Sequence, residues 1–138
     1  MKNFCAGIHV LIRKRDKYLI LKKSGSDKDE PGHWDLPGGG IEFNEQPLGA
    51  ALRETMEEAG IKIRLTNVLM LWAMPHKTQW SIEIVAQGIY LSGKIKLSPE
   101  HSTYKWVNKK ELLKVKPGTV HLKKLIKFLS NKKYQRSN

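Results

Sequence analysis

Three carboxylates, Glu54, Glu57 and Glu58, fall within two turns of one helix in the stretch RETMEEAG, residues 53–60. Like charges three and four residues apart repel. The C-terminal end of a helix, where these stand, is also the negative pole of its backbone dipole. A solvated acidic face normally interleaves lysines with its acids, and this one does not. Mg2+ or Mn2+ needs oxygen ligands on a rigid scaffold, usually a few carboxylates completed by waters and substrate phosphates. A bound divalent cation reverses the local electrostatics and supplies the missing positive charge.

The elements that must position these groups can be read around them. Pro47 suits the first turn of a helix, Gln46 its cap and Gly60 its stop. Projected at 100° per residue, residues 47–59 place the three glutamates on a narrow face. Leu48, Ala51, Leu52, Thr55, Met56 and Ala59 gather opposite them, the face expected to meet the core. Upstream, residues 4–13 and 18–22 are β-rich runs forming a hairpin. A polar loop over 24–33 leads through WDLP into Gly38, Gly39 and Gly40, where backbone must bend sharply or approach something closely. Downstream, strands are expected near 62–74 and 80–91. A loop covers 98–103, followed by a short strand at YKWV and a helical turn at NKKELLK. Residues 119–130 form an amphipathic helix with Leu122, Leu125, Ile126 and Leu129 on one face and lysines away from it. The order of elements implies one α/β domain with a mixed sheet, spanning residues 1–138.

From Gly39 to Ile61 the chain reads GGIEFNEQPLGAALRETMEEAGI. This resembles the Nudix box, with Gly39, Glu45, Arg53, Glu54, Glu57, Glu58, Gly60 and Ile61 on its fixed positions and Thr55 in place of an aliphatic residue. WDLPGG before the box and PEH…KWV after it extend the similarity over most of the chain. The resemblance implies a Nudix-type (MutT-like) α/β/α sandwich with a mixed central sheet. It also implies Mg2+- or Mn2+-dependent hydrolysis of a nucleoside diphosphate linked to another moiety, with a (deoxy)nucleoside triphosphate as the expected substrate. ADP-ribose or a nucleotide sugar, the 5′ end of RNA, and a non-catalytic nucleotide sensor are the alternatives. Carried over by position, Glu54, Glu57 and Glu58 are metal ligands, joined by the carbonyl of Gly38, and Arg53 orients the carboxylates through Glu45. The general base is left open among Glu54, Glu100 and His101, and Glu100 also stands as a further metal ligand.

Outside the box the sequence is less specific. Lys23 ends the second strand, either as a phosphate contact or as a solvated strand end. Trp72 and Trp80 flank the AMPHKTQ turn and either line a substrate pocket or pack in the core. Trp106 is expected in the core. Cys5 has no second cysteine to pair with, which fits a reducing compartment. With neither a secretory leader nor a run long enough to cross a bilayer in view, a cytoplasmic setting away from membranes is expected. Of the net charge of +12, most belongs to residues 109–138, with ten Lys and Arg against one acid. That asymmetry fits RNA or acidic lipid as a partner, and it fits solubility alone as well. The sequence is compatible with a monomer or a homodimer.

Overall fold

Alternation along the first strand sets the architecture. Strand β1 (Phe4–Lys14) sends Ile8, Val10 and Ile12 to one side of the sheet and Leu11 to the other, all nearly inaccessible to solvent. A strand buried on both faces must be central and covered by a layer on each side. The computed structural model, which describes residues 3–131, has that arrangement. Strand β2 (Lys17–Lys23) returns antiparallel through a tight turn in which Arg15 has a left-handed φ of 57°. Its Leu19 and Leu21 join the first layer and its Ile20 the second.

Short strands β3 (Trp34–Asp35) and β4 (Gly38–Gly40) follow, pairing with β2 and β1. The glycine run, expected either to bend sharply or to approach something closely, forms a ladder against Gly7–His9. Helix α1 (Pro47–Ala59) covers one face, and Gly60 stops it with a φ of 70°. Strands β5 (Lys62–His76) and β6 (Gln79–Ser92) form a long antiparallel hairpin, and β6 runs parallel to β1 from Phe4↔Trp80 to Arg13↔Ile89. Strand β7 (His101–Asn108) pairs with β2 and starts inside the stretch expected as a loop. The sheet is thus mixed, with the path β3-β2-β1-β6-β5.

Asn108 caps the short helix α2 (Lys109–Leu112) in a reciprocal capping box with Glu111, and Thr119 caps α3 (Val120–Leu129). Leu112, Leu122 and Leu125 are fully buried against Leu11, Ile20 and Trp34 on the second face. Burying each such leucine contributes about 1.5–3 kcal/mol, enough to hold α3 on the sheet. The lysines of α3, Lys123, Lys124 and Lys127, stay exposed. Lys132, Lys133 and Arg136 of the basic tail lie outside the described residues. No helix among the described residues is long and apolar enough to cross a membrane.

One expectation is corrected. The buried arc of α1 is Ala50, Ala51, Thr55, Glu58 and Ala59, whereas Leu48, Leu52 and Met56 are about half exposed. The helix is rolled toward its carboxylate side. Small residues let its backbone lie close to β1 and β4, and this roll carries Glu58 inward.

Candidate active site

Close approach of α1 to the β4 glycines builds the first half of the site. A Cβ on Gly38 would lie 2.3 Å from the Ile8 carbonyl oxygen, and one on Gly39 would lie 2.7 Å from the Glu54 carboxylate. Only glycine leaves room for both neighbours. Gly38 then donates its backbone N–H to Glu58 Oε1 at 2.8 Å. This contact is through the amide of Gly38, the residue whose carbonyl the sequence suggested as a ligand.

Arg53 organises the other carboxylates. Its Nε and Nη2 donate to the two oxygens of Glu45 at 2.7 and 2.9 Å, a bidentate fork. Its Nη1 donates to Glu54 at 2.9 Å and to Glu57 at 3.2 Å, and Nη2 also donates to the Gly40 carbonyl at 3.1 Å. One guanidinium thus ties the helix to the loop before it and to β4. The hydrogen bonds from Arg53 hold Glu45 down at a pKa of about 2, and the same bonds push Arg53 up.

Glu58 is 6% exposed, and burial, with the nearby Glu54, Asp35 and Glu100 carboxylates, raises its pKa to about 9 despite the Gly38 amide. Burial also raises Glu54, reinforced by Glu57 and Glu100 and opposed by Arg53. Burial above all, with neighbouring carboxylates beside it, makes the ionised form of Glu58 costly, and a cation placed there would offset that cost. The donors that the helix itself supplies are carboxylate oxygens, which fit a hard divalent cation.

The start of β7 completes this group from a distant part of the chain. Glu100 is exposed, His101 is buried, and each offers a ligand atom within 4.8 Å of Glu58. Burial lowers the pKa of His101, and its Nδ1 has no hydrogen-bond partner. The Ser24 amide donates to the Glu100 carbonyl at 2.9 Å, and the Ser98 amide to the Glu58 carbonyl at 3.2 Å, fixing the loop to both elements.

A cleft of about 870 Å³ opens beside these groups, lined in part by Gly38, Gly39, Glu58, Glu100 and His101. Lys23 lines it too, in an ion pair with Asp27 at 3.2 Å. Burial pulls the Lys23 pKa down, but Asp35 and Asp27 outweigh it and the net shift is upward. The two tryptophans sit elsewhere. Trp72 packs against the second core layer and the His121 ring, Trp80 is 46% exposed, and neither is among the residues lining the cleft. Trp106 packs against the first core layer.

The cleft lining also holds groups that sequence reasoning missed. His9 of β1, Glu83 of β6 and His121 of α3 meet there, from positions too far apart in the chain to give a local signal. Asp35 anchors this part of the lining, accepting from Thr119 Oγ1 at 2.7 Å and from the Leu36 amide at 2.8 Å. Burial lowers the His9 pKa to about 4, only partly offset by Asp35. Burial pushes Glu83 up, but hydrogen bonds from His121 and Ser81 outweigh it and leave the carboxyl below its ordinary value.

Comparison with known proteins places this geometry. The chain is 54% identical over 56 residues to diphosphoinositol polyphosphate phosphohydrolase 3-beta of Bos taurus, a stretch spanning 41% of this chain and 32% of that protein. The MutT protein of Methanosarcina mazei Go1 superposes with a TM-score of 0.81 at 27% identity, covering 99% of this chain and 96% of that one. An Ap4A hydrolase of C. elegans shares the fold, with a TM-score of 0.70 at 21% identity over 99% of both chains. Residues 3–129 match the NUDIX domain, so this chain, with its carboxylate helix packed on a glycine ladder in an α/β/α sandwich, belongs to the NUDIX family.

Proposed function

We propose that this chain is a single-domain, metal-dependent pyrophosphohydrolase that cleaves a nucleoside diphosphate linked to another moiety, with a (deoxy)nucleoside triphosphate as the preferred substrate. The observation that supports the reading is that Glu58 and Glu100 line one cleft while Arg53 draws Glu54 and Glu57 together on the helix that carries Glu58.

Glu54, Glu57 and Glu58 are the residues that would hold Mg2+ or Mn2+, and the Gly38 carbonyl is a further donor. When bound, the ion neutralises diphosphate oxygens and lowers the pKa of water. Arg53 keeps the carboxylates in register by binding Glu45 with one edge and Glu54 and Glu57 with the other. Glu100, which lines the cleft from outside the carboxylate helix, takes the proton from the attacking water. As the water oxygen bonds to phosphorus, the bridging P–O bond breaks and the leaving phosphate departs with the negative charge. Lys23 faces the cleft as a cation for a phosphate oxygen.

The cleft's charge bears on substrate class. Acidic residues outnumber the lysines Lys23 and Lys77 along its lining. This favours a substrate with a short phosphate chain over a densely phosphorylated inositol, which would need many cations. Turnover should be measured on the (deoxy)nucleoside triphosphates, 8-oxo-dGTP, ADP-ribose, nucleotide sugars, diphosphoinositol polyphosphate and 5′-triphosphate RNA, with Glu57→Gln as control. Metal-dependent cleavage of a triphosphate that collapses in the variant supports the reading. Nucleotide binding without cleavage of any of them would replace it with a sensor.

A further inference from the structure

We propose that His9, Glu83 and His121 form a second metal site, for a borderline cation of the Zn2+ class, in the lining of the same cleft. Three elements deliver these side chains: β1, β6 and the first turn of α3. Each offers a ligand atom within 4.8 Å of the others. Two imidazoles and one carboxylate are a zinc donor set, with ligand distances of about 2.0–2.2 Å. Two imidazoles separate this site from the group around Glu58, where two carboxylates meet a single imidazole, His101.

Four features show the site to be built. His9 is 7% exposed and its Nδ1 is buried with no hydrogen-bond partner, while its Nε2 lies 3.7 Å from Asp35. A carboxylate behind one imidazole nitrogen with the other left free is the usual support of a metal-bound histidine. Glu83 is 5% exposed and is held by Ser81 and His121. Gly7 leaves it space, since a Cβ there would come within 3.1 Å of Glu83 Oε2. Finally, α3 is pinned over this site: Thr119 bonds Asp35, and the Val120 amide donates to Glu30 at 3.1 Å.

The His121–Glu83 contact is where a cation replaces a shared proton. The His9 and His121 rings are stacked, with centroids 3.9 Å apart and planes 26° apart, so binding must turn the His121 ring out of the stack. That ring's side chain is 13% exposed and lines the cleft. The three protein ligands leave a position open to the cleft, for water or a substrate oxygen.

The test is a Zn2+ titration of the full chain in excess Mg2+, which occupies the carboxylate-helix site, followed by 15N NMR of the histidine rings. One equivalent of Zn2+ is expected to shift the His9 and His121 nitrogens together. Affinity should fall at least tenfold in His121→Ala and in Glu83→Gln, the second retaining the shape of the side chain. Movement of neither ring, movement of His101 alone, or unchanged affinity in a folded Glu83→Gln protein would each overturn the proposal. The readout is independent of hydrolysis, so it stands or falls separately from the proposed activity.

Discussion

Replacing Glu58 by glutamine separates the cost of a buried charge from the function that the charge serves. In metal-free protein the Glu58 carboxyl titrates at about 9, raised by burial first and by neighbouring carboxylates second. A carboxyl whose folded-state pKa is raised binds its proton more tightly in the folded than in the unfolded chain. Stability is therefore fully present below the unfolded value of about 4.5 and is lost as pH rises toward 9. At pH 7.5 the chain is three units into that window, at about 1.36 kcal/mol per unit. Relaxation and water entry reduce the ceiling, leaving roughly 2–4 kcal/mol.

Glutamine mimics the protonated acid and can still accept from the Gly38 amide. In EDTA, Glu58→Gln should therefore melt higher than the parent at pH 7.5, by roughly 4 °C per kcal/mol for a domain of this size, with the difference vanishing near pH 5. Adding Mg2+ should raise the parent's melting temperature and leave the variant's almost unmoved, while the variant loses hydrolysis. Parallel melting curves for the two proteins from pH 5 to 8.5, with equal responses to Mg2+, would refute the argument that Glu58 is a strained buried carboxylate awaiting a cation.

Other perturbations address the remaining links. Arg53→Lys cannot reproduce the fork to Glu45 together with the bonds to Glu54 and Glu57; kcat/KM should fall roughly ten- to a hundredfold, by loss of about 1.5–3 kcal/mol of charged hydrogen bonding, and a change below twofold would exclude an orienting role. Gly38→Ala should cost about 2–4 kcal/mol in urea unfolding, because its Cβ meets backbone rather than a movable side chain; a cost under 0.5 kcal/mol would contradict the close approach. Glu100→Gln should lower kcat at least a hundredfold with little effect on stability, and full activity in that variant would move the proton acceptor to another group. Leu122→Ala, at a fully buried site, should destabilise by about 2–5 kcal/mol, checked by the same urea titration.

How far the sequence alone reached depends on whether the information was local. The carboxylate helix, its proline start and its glycine stop, the long hairpin strands, the lysine-backed C-terminal helix and the Arg53–Glu45 partnership were all legible. Each rests on spacing within one turn, one strand or one short motif, and on periodicities that the backbone enforces. The roll of α1 was not legible. Hydrophobicity alone directed Leu48, Leu52 and Met56 inward, but the sheet accepts the helix only at the close range that Ala50, Ala51 and Ala59 permit, and that contact turns Glu58 toward the core.

Trp72 and Trp80 mark the same limit. Their types left open whether they line a substrate pocket or pack in the core, because whether a strand residue faces cleft, core or solvent depends on which side of the sheet each layer covers. His9, Glu83 and His121 come together only because β1 and β6 run parallel and because Thr119, bound to Asp35, sets the start of α3 over them. Asp35 and Thr119 are 84 positions apart. The sequence by itself determined the family and the chemistry of one helix, because both are written at short range. The histidine-bearing part of the cleft lining was decided by tertiary structure, because only packing and strand order bring distant side chains to one point.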